Sequence, residues 1–201
     1  LARARVRIGQ PSLGRPLVHR LFLRELRDYR DCIAPSTALA SHPAPEVRLL
    51  GESYSESAEM ALERAMNALA CWYEPDPLVG VLDRIRSGDR HLAAPALDFL
   101  EHILPRPIFS VVRKIFEDPT PEEPDAEAEP DPIAQWIETA WTSDDTWLRA
   151  CAVRASRFSP SFDARRFTIE ADAHPFVLAE IAALVSPGTP STNPTSRAAI
   201  C

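Results

Sequence analysis

The sequence predicts an all-α protein, and three observations support this class. The chain has 201 residues but only 6 glycines, a composition that disfavours turn-rich sheet proteins. No segment alternates apolar and polar residues for long enough to form a strand. Several segments instead carry apolar residues at helical spacing, and most of them are bounded by proline, aspartate or glycine. We predict about seven to nine helices, with a core drawn from the 45% of residues that are apolar.

Two stretches of the chain match each other without a gap. Ser87–Leu100 and Ser143–Ser156 share five of fourteen residues at an offset of 56 positions, and between them lies a 16-residue acidic, proline-rich insert, Glu117–Pro132. Without the insert the offset is 40 residues, a period typical of helical-hairpin repeats. The match therefore predicts an α-solenoid, in which antiparallel helical hairpins stack on one another.

Helix boundaries are predicted from the spacing of apolar residues and from the positions of prolines and capping residues. Arg15–Asp31 is amphipathic, whereas Cys32–Ser55 is broken by three prolines and is expected to be a loop with one short helical turn. Ser53-x-x-Glu56 resembles a capping box that opens a helix ending near Tyr73.

Aspartate caps and prolines start most of the later helices. Asp89 caps a helix that Pro95 kinks, unless Pro95 delays its start to near Ala93. Either Asp144 or Asp145 caps its counterpart in the second copy. The predicted spans after residue 75 are Asp76–Ser87, a helix ending at Leu104, Pro107–Phe116, Asp131–Trp141, a helix ending at Ala155, and Pro175–Val185.

Charge divides the chain into a body and an insert. The net charge is −7, but the insert holds eight acids and no base, so the remaining 22 bases and 21 acids nearly balance. High charge and the lack of large apolar residues predict disorder in the insert, and the Ser/Thr/Pro-rich tail 186–201 is also expected to be disordered. We therefore predict a flexible start over 1–14 and a single helical domain over 15–185.

Cysteine usage and hydropathy indicate the compartment. The four cysteines form no C-x-x-C pair, and Cys71 and Cys151 fall on apolar helix faces, as expected of buried thiols in a reducing compartment. The longest apolar run, Ala68–Tyr73, is far shorter than the roughly 18 residues of a membrane span. A cytoplasmic location is predicted, and the lack of a domain-wide basic surface disfavours nucleic acid as a partner.

Candidate chemistry concentrates on one helix. Asp98, Glu101 and His102 stand at i, i+3 and i+4, where two acids and a histidine could bind a metal or move protons, although one helix supplies only part of a metal shell. The repeat offset aligns Asp98 with Arg154 and Glu101 with Arg157, which predicts a ladder of charge pairs between stacked helices. The predicted interaction groove is lined by the second helices, at Asp98, Glu101, His102, Arg149, Arg154 and Arg157.

Catalytic motifs are missing from the sequence. It contains no G-x-G-x-x-G, phosphate loop, G-x-S-x-G or H-E-x-x-H pattern, so we predict no catalytic, cofactor-binding or metal-binding residue. Trp136, Trp141 and Trp147 cluster in one predicted hairpin, where core packing is the default and a binding surface is the alternative.

The second copy also carries a family resemblance. Ile133–Thr142, an aspartate turn and Leu148-Arg149-Ala150-Cys151-Ala152 resemble a HEAT repeat, and Leu78–Arg86 followed by Asp89 and Leu92–Ala96 is a weaker copy. Met60–Glu117 is similar to the HEAT-like region that follows the membrane domain of bacterial transporters of the ATP/ADP-translocase type.

The resemblance implies a cytosolic accessory region with no catalytic residues to transfer. We therefore predict a non-enzymatic scaffold that binds another protein or a further domain of its own polypeptide. The parent protein could hold this scaffold at the cytoplasmic face of a membrane. HEAT-like folds also include DNA glycosylases, which need a basic groove, and bilin lyases, which need a deep apolar cavity with an acid nearby. Both remain alternatives from the sequence.

Overall fold

The computed structural model describes residues 14–87, 89–117, 131–163, 166–167 and 174–185, and these residues are all-helical, without strands. The sequence-based class is therefore confirmed at the level of helix content. The described residues form eight α-helices and one turn of 3₁₀ helix: α1 Arg15–Leu39, α2 Pro45–Leu69, α3 Pro75–Arg86, α4 Arg90–Ile103, α5 Arg106–Glu117, α6 Pro132–Trp141, α7 Thr146–Ala155, the 3₁₀ turn Ser156–Phe158, and α8 Pro175–Val185.

The two longest helices, α1 and α2, pack against each other as a central hairpin. Each has 25 residues and is therefore about 37 Å long. The loop predicted over Cys32–Ser55 is wrong, because α1 continues through Pro35 and α2 already begins at Pro45. Pro35 removes one backbone hydrogen bond, but it is buried, and the hydroxyls of Ser36 and Thr37 donate to the Ile33 carbonyl at 2.8 and 3.0 Å. Tertiary packing thus outweighs the local cost of the proline.

The predicted capping box at Ser53 is also wrong. Ser53 lies inside α2, is buried, and donates to the Leu49 carbonyl one turn earlier at 2.8 Å. Its hydroxyl also lies 3.2 Å from the sulfur of Cys151 on α7. A serine side chain in a helix interior can return its hydrogen bond to the preceding turn. The Ser53 hydroxyl is therefore satisfied within α2 and also contacts α7 at Cys151.

Aspartate caps begin three of the shorter helices, as predicted. Asp89 accepts from the backbone N–H of His91, Asp131 from that of Ile133, and Asp145 from those of Trp147 and Leu148. The structure thus selects Asp89 as the start of α4, with Pro95 inside the helix, and Asp145 rather than Asp144 as the start of α7. The start predicted for α3 at Asp76 differs from the structure, in which α3 begins at Pro75 after Glu74, without a side-chain cap.

The core is divided into two clusters along the central hairpin. The first cluster joins the beginning of α1 and the end of α2 to α3, α4 and α5, and includes Phe22, Leu69, Leu78, Leu100 and Val112. The second cluster joins the end of α1 and the beginning of α2 to α6, α7 and α8, and includes Leu39, Leu50, Ile137, Cys151 and Val177. Each group of short helices therefore buries its apolar face against a different half of the same hairpin.

The two matching segments belong to different clusters. Leu92 at the start of α4 is 48% exposed, whereas its counterpart Leu148 in α7 is 4% exposed. Ala96 and Ala152 are both buried, the former in the first cluster and the latter in the second. The direct stacking of α4 on α7, which the repeat offset predicted, is therefore not seen in the described part of the chain.

The expectations of disorder for 1–13, for most of the insert and for the tail 186–201 lie outside the described residues. Within the described part, none of the helices combines the length and the hydropathy that crossing a membrane requires.

Candidate functional site: a polar cleft beside the central hairpin

The acidic half of the predicted groove lies on α4. Asp98, Glu101 and His102 are exposed, and Nδ1 of His102 lies 2.7 Å from the Asp98 carbonyl oxygen of its own helix. That interaction turns the imidazole toward the α4 backbone. Across the described residues, no group of three or more His, Cys, Asp and Glu side chains is placed to hold a metal ion.

The three arginines of the predicted groove pack elsewhere. The Arg149 guanidinium stacks 4.7 Å from the centre of the Trp141 ring. Arg154 lies 3.4 Å from a Glu180 carboxylate oxygen, and Arg157 donates to the Ala183 carbonyl at 2.6 Å. Both of these contacts join the α7 region to α8, so the ladder to Asp98 and Glu101 is not among the ion pairs of the described residues.

The tryptophans of the second hairpin are only partly core residues. Trp136 and Trp141 are half-buried against the second cluster, and the Trp141 ring meets Phe167 edge-on at 4.9 Å. Trp147 is 43% exposed, and its ring centre lies 6.3 Å from that of the exposed Phe176 ring. The default expectation of core packing thus describes two of the three rings.

A cleft of about 600 Å³ lies where α1, α2 and the turn between α6 and α7 converge. Its volume is within the range of ligand-binding sites in proteins. The lining combines four carboxylates, two guanidiniums, a thiol, three hydroxyls and a few apolar groups: Arg24, Glu25, Asp28 and Cys32 from α1; Ser57, Met60, Ala61 and Arg64 from α2; and Thr142, Ser143, Asp144, Asp145 and Leu148 from the turn and α7. We call this feature the hairpin cleft.

One ion pair joins the two helices of the hairpin at the cleft. Nε of Arg64 on α2 lies 2.7 Å from a carboxylate oxygen of Glu25 on α1. The Glu25 side chain is 18% exposed, which strengthens the pair relative to a fully solvated one. This pair neutralises one guanidinium and one carboxylate, so the rest of the lining carries three carboxylates and one guanidinium.

The three remaining acids of the lining differ in their polar partners. Asp145 caps α7 and accepts a hydrogen bond from the Ser57 hydroxyl at 3.4 Å. Asp28 and Asp144 are exposed, and neither has a hydrogen bond or an ion pair in the described part of the chain. The hairpin cleft therefore presents two carboxylates that are available to a cation.

Two pKa shifts reflect the same electrostatic surroundings. Desolvation raises the pKa of the Asp28 carboxyl, and the neighbouring Glu25 carboxylate adds to the increase. Burial raises the pKa of the Cys32 thiol to about 11, with further contributions from Asp28, Asp31 and Asp145. Cys32 consequently stays protonated at neutral pH, which makes it a poor nucleophile.

Sequence reasoning missed most of this site. It singled out Asp144 and Asp145 only as alternative caps and gave no role to the polar face of α1. The signal was weak, because Glu25 and Arg64 are 39 positions apart and meet only when the antiparallel register of α1 and α2 is known. The predicted loop over Cys32–Ser55 also hid the continuity of the two helices that form the walls of the cleft.

Comparisons of this chain with protein-family models, with curated proteins and with solved structures found no match.

Proposed function

We propose that this chain is a non-enzymatic scaffold that binds another protein, or a further domain of its own polypeptide, through the hairpin cleft. The observation that carries the proposal is that the central hairpin and the helix group α6–α8 meet at one polar cavity. Because the cleft borders the central hairpin and the α6–α7 turn, an occupant would contact both the hairpin and the helix group α6–α8. Binding there would then stabilise the packing of α6–α8 on the central hairpin by mass action.

The chemistry of the lining favours binding over catalysis. The one thiol is held protonated by its surroundings, and Asp145 is committed to the α7 cap. Catalysis by a nucleophile requires an activating base within hydrogen-bond reach. The lining includes no histidine, the usual base at neutral pH.

The glycosylase-type alternative fits this cleft poorly. Phosphate recognition needs an excess of lysine and arginine, whereas the hairpin cleft has two guanidiniums and four carboxylates. The lyase-type alternative requires a deep apolar cavity, and the apolar part of this lining is limited to Met60, Ala61 and Leu148.

The HEAT-like relationship is also a proposal. Hairpins α3–α4 and α6–α7 each begin their second helix with an aspartate cap, at Asp89 and Asp145. We propose that they derive from one repeated unit and pack on a shared hairpin instead of on each other. An accessory role beside a membrane transporter, on the cytoplasmic side, is the setting that the sequence resemblance implies.

Site-specific photo-crosslinking tests the binding function. A photoreactive amino acid replaces Met60, which is 47% exposed and lines the hairpin cleft, and a control chain carries it at Val79, which is 56% exposed on α3. In extracts of the source cells we expect a discrete protein adduct at position 60, competed by excess unmodified chain, and none at position 79. No adduct at position 60, or equal adducts at both positions, would overturn the proposal.

A further inference from the structure

We infer that the occupant of the hairpin cleft is a basic segment of a partner protein, which inserts a lysine or arginine side chain between Asp28 and Asp144. This inference rests on the proposed function and specifies the chemistry of its partner. It follows from the charge balance of the lining, from the position of its apolar groups and from the exposure of the two acids.

The charge balance favours a cation. After the Glu25–Arg64 pair is set aside, the lining keeps one guanidinium, that of Arg24, and three carboxylates, those of Asp28, Asp144 and Asp145. Asp28 lies one helical turn after Arg24, and the Arg24 and Arg64 charges partly offset the increase in its pKa. Since the pKa of Asp28 remains raised, its ionised form would gain from a further positive group.

The apolar groups of the lining suit a long side chain. Met60 is 47% exposed at the wall of the cleft, and Leu148 at its α7 end is buried. Lysine and arginine bury their methylene stems on apolar surface while the charged end reaches polar groups. A flexible methionine beside carboxylates can adapt to such a stem, as methionines do on peptide-binding surfaces.

The inserted cation would also connect the central hairpin to the helix group α6–α8. Asp28 belongs to the central hairpin, and Asp144 belongs to the turn that precedes α7. A guanidinium can donate several hydrogen bonds in one plane, so one arginine could bind both carboxylates. Glu25 already pairs with Arg64, so the inserted side chain lies between Asp28 and Asp144 instead.

Fluorescence anisotropy with a defined probe tests the inference. The probe is a labelled peptide that alternates arginine with leucine, and the matched probe carries neutral citrulline in place of arginine. The purified chain is compared with D28N/D144N and with the control E52Q/E56Q, which removes the same charge from two exposed acids of α2 outside the cleft. Far-UV circular dichroism establishes that each variant is folded.

We expect the arginine peptide to bind the unaltered chain, D28N/D144N to weaken binding about tenfold, and E52Q/E56Q to change it less than about twofold. The citrulline peptide should bind no more tightly to the unaltered chain than to D28N/D144N. Equal losses in both variants, equal binding of both peptides, or no binding of the arginine peptide at low salt would overturn the inference. A position-60 adduct together with one of these results refutes the basic segment and leaves the scaffold function intact.

Discussion

Gly51 on α2 lies so close to Leu39 on α1 that a Cβ added to the glycine would stand 2.9 Å from the Leu39 Cβ. The contact is near the turn of the central hairpin, where Leu39 and Leu50 are both buried. Non-bonded carbon atoms prefer about 3.5–4.0 Å. The missing side chain at Gly51 therefore permits the close approach of the two longest helices.

Gly51→Ala should consequently destabilise the protein. The added methyl group overpacks the hairpin at a cost of about 1–3 kcal/mol, and improved helix propensity returns up to about 1 kcal/mol. We expect the free energy of unfolding, measured by urea denaturation, to fall by roughly 1 kcal/mol.

Gly80→Ala is the matched control. A Cβ at Gly80 in α3 would meet no atom within 4 Å. The same change should therefore stabilise the chain by about 0.5–1 kcal/mol. A stabilising Gly51→Ala would show that α1 and α2 separate at no cost and that the close approach is not required.

Asp145 supports α7 and the wall of the hairpin cleft at the same time. Its carboxylate accepts from two backbone N–H groups of α7 and from the Ser57 hydroxyl. Asp145→Ala should lower the free energy of unfolding by about 1–2 kcal/mol, whereas Asp144→Ala, which removes no cap, should change it by less than about 0.5 kcal/mol. Thermal unfolding followed by circular dichroism measures both. Equal effects would contradict the assignment of Asp145 as the cap.

Tyr54 joins the central hairpin to the second helix group. Its ring is 1% exposed, and its hydroxyl donates to the Trp136 carbonyl of α6 at 2.7 Å. Tyr54→Phe should lower the free energy of unfolding by about 1 kcal/mol, the net contribution of a typical hydrogen bond.

Tyr29→Phe provides the comparison. The ring centres of Tyr29 and Phe116 lie 5.7 Å apart, and the Tyr29 hydroxyl makes no hydrogen bond within the described residues. Removal of that hydroxyl should change stability by less than about 0.5 kcal/mol. If both variants lost the same stability in urea denaturation, the Tyr54–Trp136 bond would not be the cause.

His19 makes stability depend on pH. The side chain is buried near the start of α1, where its Nε2 lies 3.3 Å from the Tyr73 hydroxyl, which also accepts from Arg15 at 2.8 Å. Desolvation, assisted by the Arg15 charge, lowers the pKa of His19 from its ordinary value of 6.5. The folded protein thus takes up this proton less readily than the unfolded chain.

The sign of the effect follows from proton linkage. Below pH 6.5 the unfolded chain gains the proton first, so the free energy of unfolding should decrease from that pH down to the lowered pKa of the folded state. Urea denaturation at several pH values should show this decrease in the unaltered chain and in the variant His102→Gln, whose imidazole is exposed. His19→Gln should remove it. A decrease that persists in His19→Gln must come from other groups.

Local chemistry determined most of the helix boundaries. Asp89, Asp131 and Asp145 cap helices because a short carboxylate side chain satisfies backbone N–H groups that no preceding turn can reach. The helical class, the spans of α5, α6 and α8, and the core positions of Leu78 and Ile137 follow from the sequence for the same reason. Helical periodicity and caps depend on residues that are close together in the chain, so the sequence alone predicts them.

Long-range packing decided the rest. Pro35 does not end α1, because burial of Leu39, Val47 and Leu50 in the second cluster compensates for the backbone bond lost at the proline. In the tertiary structure α4 and α7 also pack in different clusters, although their residues match. The hairpin cleft exists only because Asp28 and Asp144, which are far apart in sequence, line the same space once α7 has packed on α2.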